Sequence, residues 1–194
     1  MIKPLIVGIG GTLRPGSSSE QALAAVLKAA EIRGAVTQQF AGPDISLPPY
    51  DPQNIERTPA GKALIDALRQ ADGVVISSPC YHGGVSGLVK NAIDYTEDMR
   101  GDALPYLDGR AVGLIACGYG YQGLGIVLGQ LRSVTHALRG WPVPIGVGIN
   151  SQIVKFEAGQ CTDAGIAAQL DIMAAQIVEF AEMKMAVKQM RSAS

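Results

Sequence analysis

The chain has 194 residues, 17% of them charged, and a formal net charge of −1, so it carries no basic face for nucleic acid and no acidic tail. Its length suits one α/β domain spanning 1–194, and no apolar run approaches the roughly 18 residues that read as a membrane span. Residues 1–11 lack the features of a signal peptide, and Cys80, Cys117 and Cys161 show no CxxC spacing, so the expectation is a cytoplasmic protein without a membrane segment, disulfide framework or zinc site.

In chain order, Leu5, Ile6 and Val7 suit a buried parallel strand, Gly10 and Gly11 a sharp turn, and Ser17, Ser18 or Ser19 a helix cap. A helix over residues 18–33 stops at Gly34, and a second strand covers 36–40. Residues 41–59 form a long connection punctuated by Pro43, Pro48, Pro49, Pro52 and Pro59, of the kind that rims a site or contacts another subunit. Pro59 opens a helix to about residue 71, and 73–77 (GVVIS) reads as a third strand.

A glycine-bearing loop, 78–87, leads into a helix over 88–97. A polar connection follows, then a fourth strand over 111–117, a loop over 118–123 and a helix over 124–138. Strand five covers 143–147, and the last helix, 163–190, places Ile166, Leu170, Met173, Ile177 and Ala181 in one stripe that faces the sheet. Its methionines read as core or interface filler.

Strands alternating with helices argue for an open parallel sheet with helices on both faces, a flavodoxin-like three-layer sandwich of order 2-1-3-4-5. In that order ligands sit at the carboxyl ends of the strands, where the winding reverses beside strands one and three. The glycine-rich loops after strands one, three and four therefore converge on one edge.

The turn after strand one is a seat for an anion, because a helix N-terminus leaves N–H groups unpaired and carries about half a positive charge. Residues 11–18 nearly match the P-loop GxxxxGK[ST], but Ser17 stands where the lysine belongs, which disfavours a nucleoside triphosphate. The dinucleotide pattern GxGxxG fails as well, since Leu13 replaces its third glycine. Thr12, Arg14 and the serines match a single terminal phosphate; the alternative is a capped turn with no ligand.

Elsewhere the catalytic signals are thin. His82 and His136 are the only histidines and GxSxG is absent, so a histidine-based hydrolase is not indicated, although His82 lies in the glycine loop. Lys90 and Asp94 stand four apart on one helix and read as a surface ion pair. Cys80 reads as a packed thiol, and Tyr81, Tyr119 and Tyr121 as rim or packing residues. The GxGxxG at Gly118 to Gly123 lacks the acidic residue of a dinucleotide fold.

Residues 78–94 resemble the SPxYxxxxxGxxKNAID signature of the NAD(P)H-dependent FMN reductase family, relatives of flavodoxin. Residues 11–19 resemble that family's GSxRxxSxN phosphate loop, with Gly11, Thr12, Arg14, Ser17 and Ser19 at the matching positions. The resemblance implies that Thr12, Arg14, Ser17 and Ser19 hold the FMN phosphate. It implies that Pro79, Cys80, Tyr81, His82, Gly83 and Gly84 pass along the isoalloxazine edge, with Gly118, Tyr119, Gly120 and Gly123 closing the other side. Family members commonly carry Glu at 80 and Asn at 82 and 19, so Cys80, His82 and Ser19 are departures.

The function implied is hydride transfer from NADPH or NADH to FMN, without a dedicated acid or base. Rivals are a flavin-bound reductase of quinones, azo dyes or metal oxyanions, a flavodoxin-type carrier, and a binding domain whose flavin site has decayed. A carrier docks through a strongly acidic face, which a net charge of −1 does not provide. The resemblance also implies a homodimer or homotetramer and allows a monooxygenase as acceptor of reduced flavin.

Overall fold

The computed structural model describes residues 3–193. Its first half runs β1 (Leu5–Gly10), α1 (Ser18–Ile32), β2 (Val36–Ala41), α2 (Pro59–Gln70), β3 (Gly73–Tyr81), β4 (Gly84–Val85) and α3 (Gly87–Asp94). The second half runs β5 (Ala111–Gly118), α4 (Leu124–Ala137), β6 (Trp141–Asn150), β7 (Phe156–Glu157), β8 (Gln160–Cys161) and α5 (Ala164–Ala193). The five long strands are parallel in the order β2-β1-β3-β5-β6, the 2-1-3-4-5 order expected, and the short β4 adds an antiparallel sixth strand against the end of β3.

The apolar strands have no polar face because both faces are covered. Val7, Ile9, Val74, Ile76, Val112 and Leu114 point into a layer built by Leu64 and Leu68 of α2, Val89 and Ile93 of α3, and Val127 and Leu131 of α4. Their neighbours Ile6, Val75, Ile115 and Cys117 point the other way, onto Leu23, Val26 and Leu27 of α1 and Met173 and Ile177 of α5. This alternation at period two fixes the register: slipping one strand by one residue would exchange its two buried sets.

Local signals set the helix ends. Ser17 caps α1 by accepting the Glu20 N–H at 3.4 Å, and Gly34 (φ +93°) ends it with the Gly34 N–H on the Glu31 carbonyl and the Ala35 N–H on the Ala30 carbonyl. The helix expected over 88–97 is shorter, since Tyr95–Met99 tighten into a 3-10 turn. β6 is longer than expected, and its Pro142 and Pro144 suit an edge strand, where missing N–H groups cost no ladder bond. The short β7–β8 hairpin turns at Ala158 and Gly159, both with positive φ.

The long connection 42–58 is stapled onto α3 rather than loose. The Asn91 side chain accepts the Tyr50 N–H at 2.8 Å and donates to the Leu47 and Pro48 carbonyls. Arg57 forms a two-pronged pair with Asp98 at 2.7 and 2.8 Å, and its guanidinium lies 4.7 Å from the Tyr50 ring centroid. The outer tip at Ile55 is 89% exposed.

α5 lays Leu170, Met173, Ile177 and Ala181 on the sheet as its period requires, while Met183 and Met190 face outward. By length and composition it is apolar enough to cross a membrane, a property it shares with core helices of this kind, and its buried stripe is what the sheet covers.

Candidate functional site

The three glycine-bearing loops emerge at the carboxyl ends of neighbouring strands. Gly10 of β1 is in register with Ser77 of β3, and Pro79 of β3 with Cys117 of β5, so the edges of the three loops are contiguous. Two bonds tie the first loop to β3: the Gly11 N–H donates to the Ser77 carbonyl at 3.2 Å, and the Ser77 hydroxyl to the Ser19 carbonyl at 2.7 Å.

In residues 11–19, Gly11 (φ +89°) and Gly16 (φ +69°) supply the left-handed backbone that reverses the chain. The Thr12 hydroxyl accepts the Arg14 N–H at 3.1 Å and donates to the Arg14 carbonyl, which closes the turn and leaves the Arg14 side chain exposed. Ser17 and Ser19 are buried under the turn with their hydroxyls 3.4 Å apart, and Ser17 caps the helix. Arg14 is thus the exposed charge of the turn, while the Ser17 and Ser19 hydroxyls are buried within it.

The expected loop 78–87 is a strand extension and a tight hairpin. Cys80 pairs with Val85 and Tyr81 with Gly84, joined by His82 (φ +52°) and Gly83 (φ +78°). Positive φ at both central residues is the turn whose twist matches the flanking strands. Pro79 is buried in β3, whereas Tyr81 and His82 are exposed at the hairpin. Ser78 supports the base by accepting the Ser86 N–H at 3.0 Å, and Ser86 caps α3.

The third loop, 118–123, comes up against the hairpin. A β-carbon placed on Gly118 or on Gly123 would stand 3.4 Å from the Cys80 β-carbon, ordinary van der Waals contact, so the two loops lie side by side. Ser151 anchors this loop through its N–H and hydroxyl, both donated to the Gly118 carbonyl. Burial pushes the Cys80 thiol up to about 11, so it is protonated near neutrality and has no thiolate character. Tyr119 is 84% exposed, and Tyr121 also faces outward.

The carboxyl ends of adjacent strands β1, β3 and β5 thus carry residues 11–19, the 80–85 hairpin and residues 118–123, with Ser17, Ser19 and Pro79 buried and Arg14, Tyr81, His82 and Tyr119 exposed. Lys90 and Asp94 pair with each other at 2.6 Å on the surface of α3. No group of three metal-ligating side chains exists among the described residues. Two supporting residues lay outside the sequence reading: Gln130 of α4, which bonds the hairpin at Val85 and Gly83, and Glu20, whose carboxylate accepts the Gly16 N–H. Glu20 had a local signal in Ser17-x-x-Glu20, the capping-box spacing; Gln130 had none.

Residues 4–153 match the family described as NADPH-dependent FMN reductase. The chain belongs to that family. Among curated proteins it is similar to a quinone reductase of Escherichia coli strain K12, at 40% identity over 91 residues, 46% of this chain and 48% of that one. It is also similar to an FMN-dependent NADPH-azoreductase of Staphylococcus aureus, at 32% identity over 126 residues and 61% of each chain. The chain thus spans only 48% and 61% of the length of these two relatives. A flavoenzyme NAD(P)H:(acceptor) oxidoreductase from Paracoccus denitrificans shares the fold, with a TM-score of 0.72 at 21% identity over 93% of this chain and 98% of that one.

Proposed function

We propose that the chain is an NAD(P)H-dependent FMN reductase whose flavin lies across the carboxyl edge of β1, β3 and β5. One observation carries the reading: an anion-type turn and a pair of closing glycine loops stand on three adjacent strands, so a ligand with a phosphate at one end and a flat ring at the other meets both. Gly11, Thr12 and Arg14 would hold the phosphate, with the start of α1 beneath it. The main chain of 79–84 and 118–123 would follow the ring edge.

The residues fit such a group. A β-carbon built on Gly83 or Gly120 meets nothing within 4 Å, so open space lies over both loops. FMN held there would supply the hydride-accepting ring. The chain's own task is to fix the ring against the hairpin, leave one face open to the nicotinamide and keep water out. A neutral Cys80 agrees with a site that draws no base from this thiol.

A second reading keeps the flavin bound and hands the electrons to a quinone- or azo-type acceptor, as the names of the two curated relatives describe for those proteins. The exposed Tyr81, Tyr119 and Tyr121 favour it, since they offer flat surfaces beside the ring position. Assembly as a homodimer or homotetramer belongs to the same proposal, supported by the projecting tip at Ile55, and release of reduced flavin to a monooxygenase is its other outlet. The test is anaerobic mixing of protein, FMN and NADPH or NADH while flavin absorbance is followed. Bleaching is expected; its absence would end the reductase reading. A saturable rate dependence on added FMN marks the flavin-releasing mode, and a dependence on quinone or azo dye alone marks the second.

A further inference from the structure

Glu20 stands inside the turn that the preceding reading gives to the flavin phosphate. Its Oε2 accepts the Gly16 N–H at 2.9 Å. On the next residue, the Gln21 amide donates to the Gly16 carbonyl at 2.6 Å, so the first turn of α1 holds both main-chain polar groups of Gly16. At the other side of the turn, a β-carbon on Gly11 would lie 3.2 Å from the Glu20 β-carbon. The Glu20 side chain therefore spans from Gly11 to Gly16 and carries an anion to a loop whose exposed charge of opposite sign is Arg14.

We infer that Glu20 competes with the flavin phosphate for this turn, lowering FMN affinity and narrowing the preference for FMN over riboflavin. Glu20 occupies the Gly16 N–H, a main-chain donor just ahead of the Ser17 cap, and places a carboxylate in the turn that also carries Arg14. A phosphate ester carries about −1.5 to −2 charges, so each added negative charge within a few ångströms opposes it. Riboflavin, which has the ring and no phosphate, does not meet this opposition. The consequence is a flavin that exchanges readily, the behaviour of a substrate rather than a resident group.

Glu20 also has a structural role, since an acidic residue in the first turn favours the helix and Ser17 bonds its N–H. The experiment separates the two. FMN and riboflavin are titrated separately into the wild type, Glu20→Gln, Glu20→Ala and Arg14→Ala, reading flavin fluorescence, with thermal unfolding recorded for each protein. Both Glu20 variants should tighten FMN by about tenfold or more while riboflavin moves by less than about twofold. An unchanged or weaker FMN constant, or an equal shift for both flavins, overturns the inference. Arg14→Ala tells which idea fails: if it weakens FMN and the Glu20 variants do not tighten it, only the competition is wrong. If Arg14→Ala leaves FMN unaffected, the phosphate is not on this turn and both fall.

Discussion

Gln130 holds Val85: its side-chain oxygen accepts the Val85 N–H at 3.1 Å, and its amide nitrogen donates to the Gly83 carbonyl at 3.3 Å. A hairpin with two paired residues on each side has little stability of its own, so this exposed side chain of α4 fixes the edge along which the flavin ring is proposed to lie. Gln130→Ala removes both bonds at a net cost of about 1 kcal/mol in stability. Flavin titration should show weaker FMN binding by about threefold to tenfold. Unaltered binding would mean that the hairpin is held by its turn alone.

Gly10 approaches Ser77 so closely that a β-carbon would stand 2.3 Å from the Ser77 carbonyl oxygen. Both atoms belong to rigid strands, and the same oxygen accepts the Gly11 N–H that begins the phosphate turn. Gly10→Ala must therefore push β1 and β3 apart, at a cost of about 2–3 kcal/mol or more. Urea unfolding should show the loss as a lower midpoint with an unchanged slope. Wild-type stability in this variant would show that the strand ends are far more yielding than their packing suggests.

These contacts mark the border of what the sequence discloses. The strands at 5–7, 73–77 and 111–117 are apolar because both sheet faces are covered, and that demand is visible residue by residue. Gly34 and Pro59 likewise act on their immediate neighbours and mark the helix ends correctly. The strand order follows from alternation of strand and helix, and the convergence of three glycine loops follows from the order. The hairpin at 80–85 does not follow, because a histidine at φ +52° gives no turn signal and the hairpin leans on Gln130 of another helix and on residues 118–123 of another loop. Gln130 lies 45 residues from Val85, and no local pattern connects them. The burial of Ser17 and Ser19 is hidden as well, because the loop pattern fixes which residues carry hydroxyls but not how deeply the fold buries them.

Cys80 sits between Gly118 and Gly123 with its thiol pushed up to about 11 by burial. Only the thiolate attacks an alkylating reagent, so iodoacetamide should label Cys80 slowly at pH 8, with a rate still rising at pH 10. The deeply buried Cys117, whose thiol burial also pushes up, should be slower still. Peptide mapping by mass spectrometry separates the sites. Added FMN should slow Cys80 further if the ring lies over the hairpin. Rapid labelling at pH 8, or indifference to FMN, would contradict the packed-thiol assignment or the ring placement respectively.

Asp98 accepts both prongs of Arg57, and those bonds, ahead of the opposing effect of burial, hold its carboxyl below the ordinary carboxylate range. A group whose folded value is depressed adds stability above its unfolded value of about 3.9, and that contribution disappears as pH falls through the folded value. The Arg57–Asp98 pair joins the connection 42–58 to the 3-10 turn after α3, with Tyr50 donating its hydroxyl to Asp98 at 3.2 Å. Asp98→Asn should therefore cost about 1–2 kcal/mol at pH 7, the scale of a partly exposed charged hydrogen-bond pair. As pH falls below about 4 the gap from wild type should shrink, because the wild type loses there what the variant never had. Urea unfolding across this series measures both numbers. A gap that stays constant on acidification would assign the loss to packing around Arg57 and the Tyr50 ring instead of to charge.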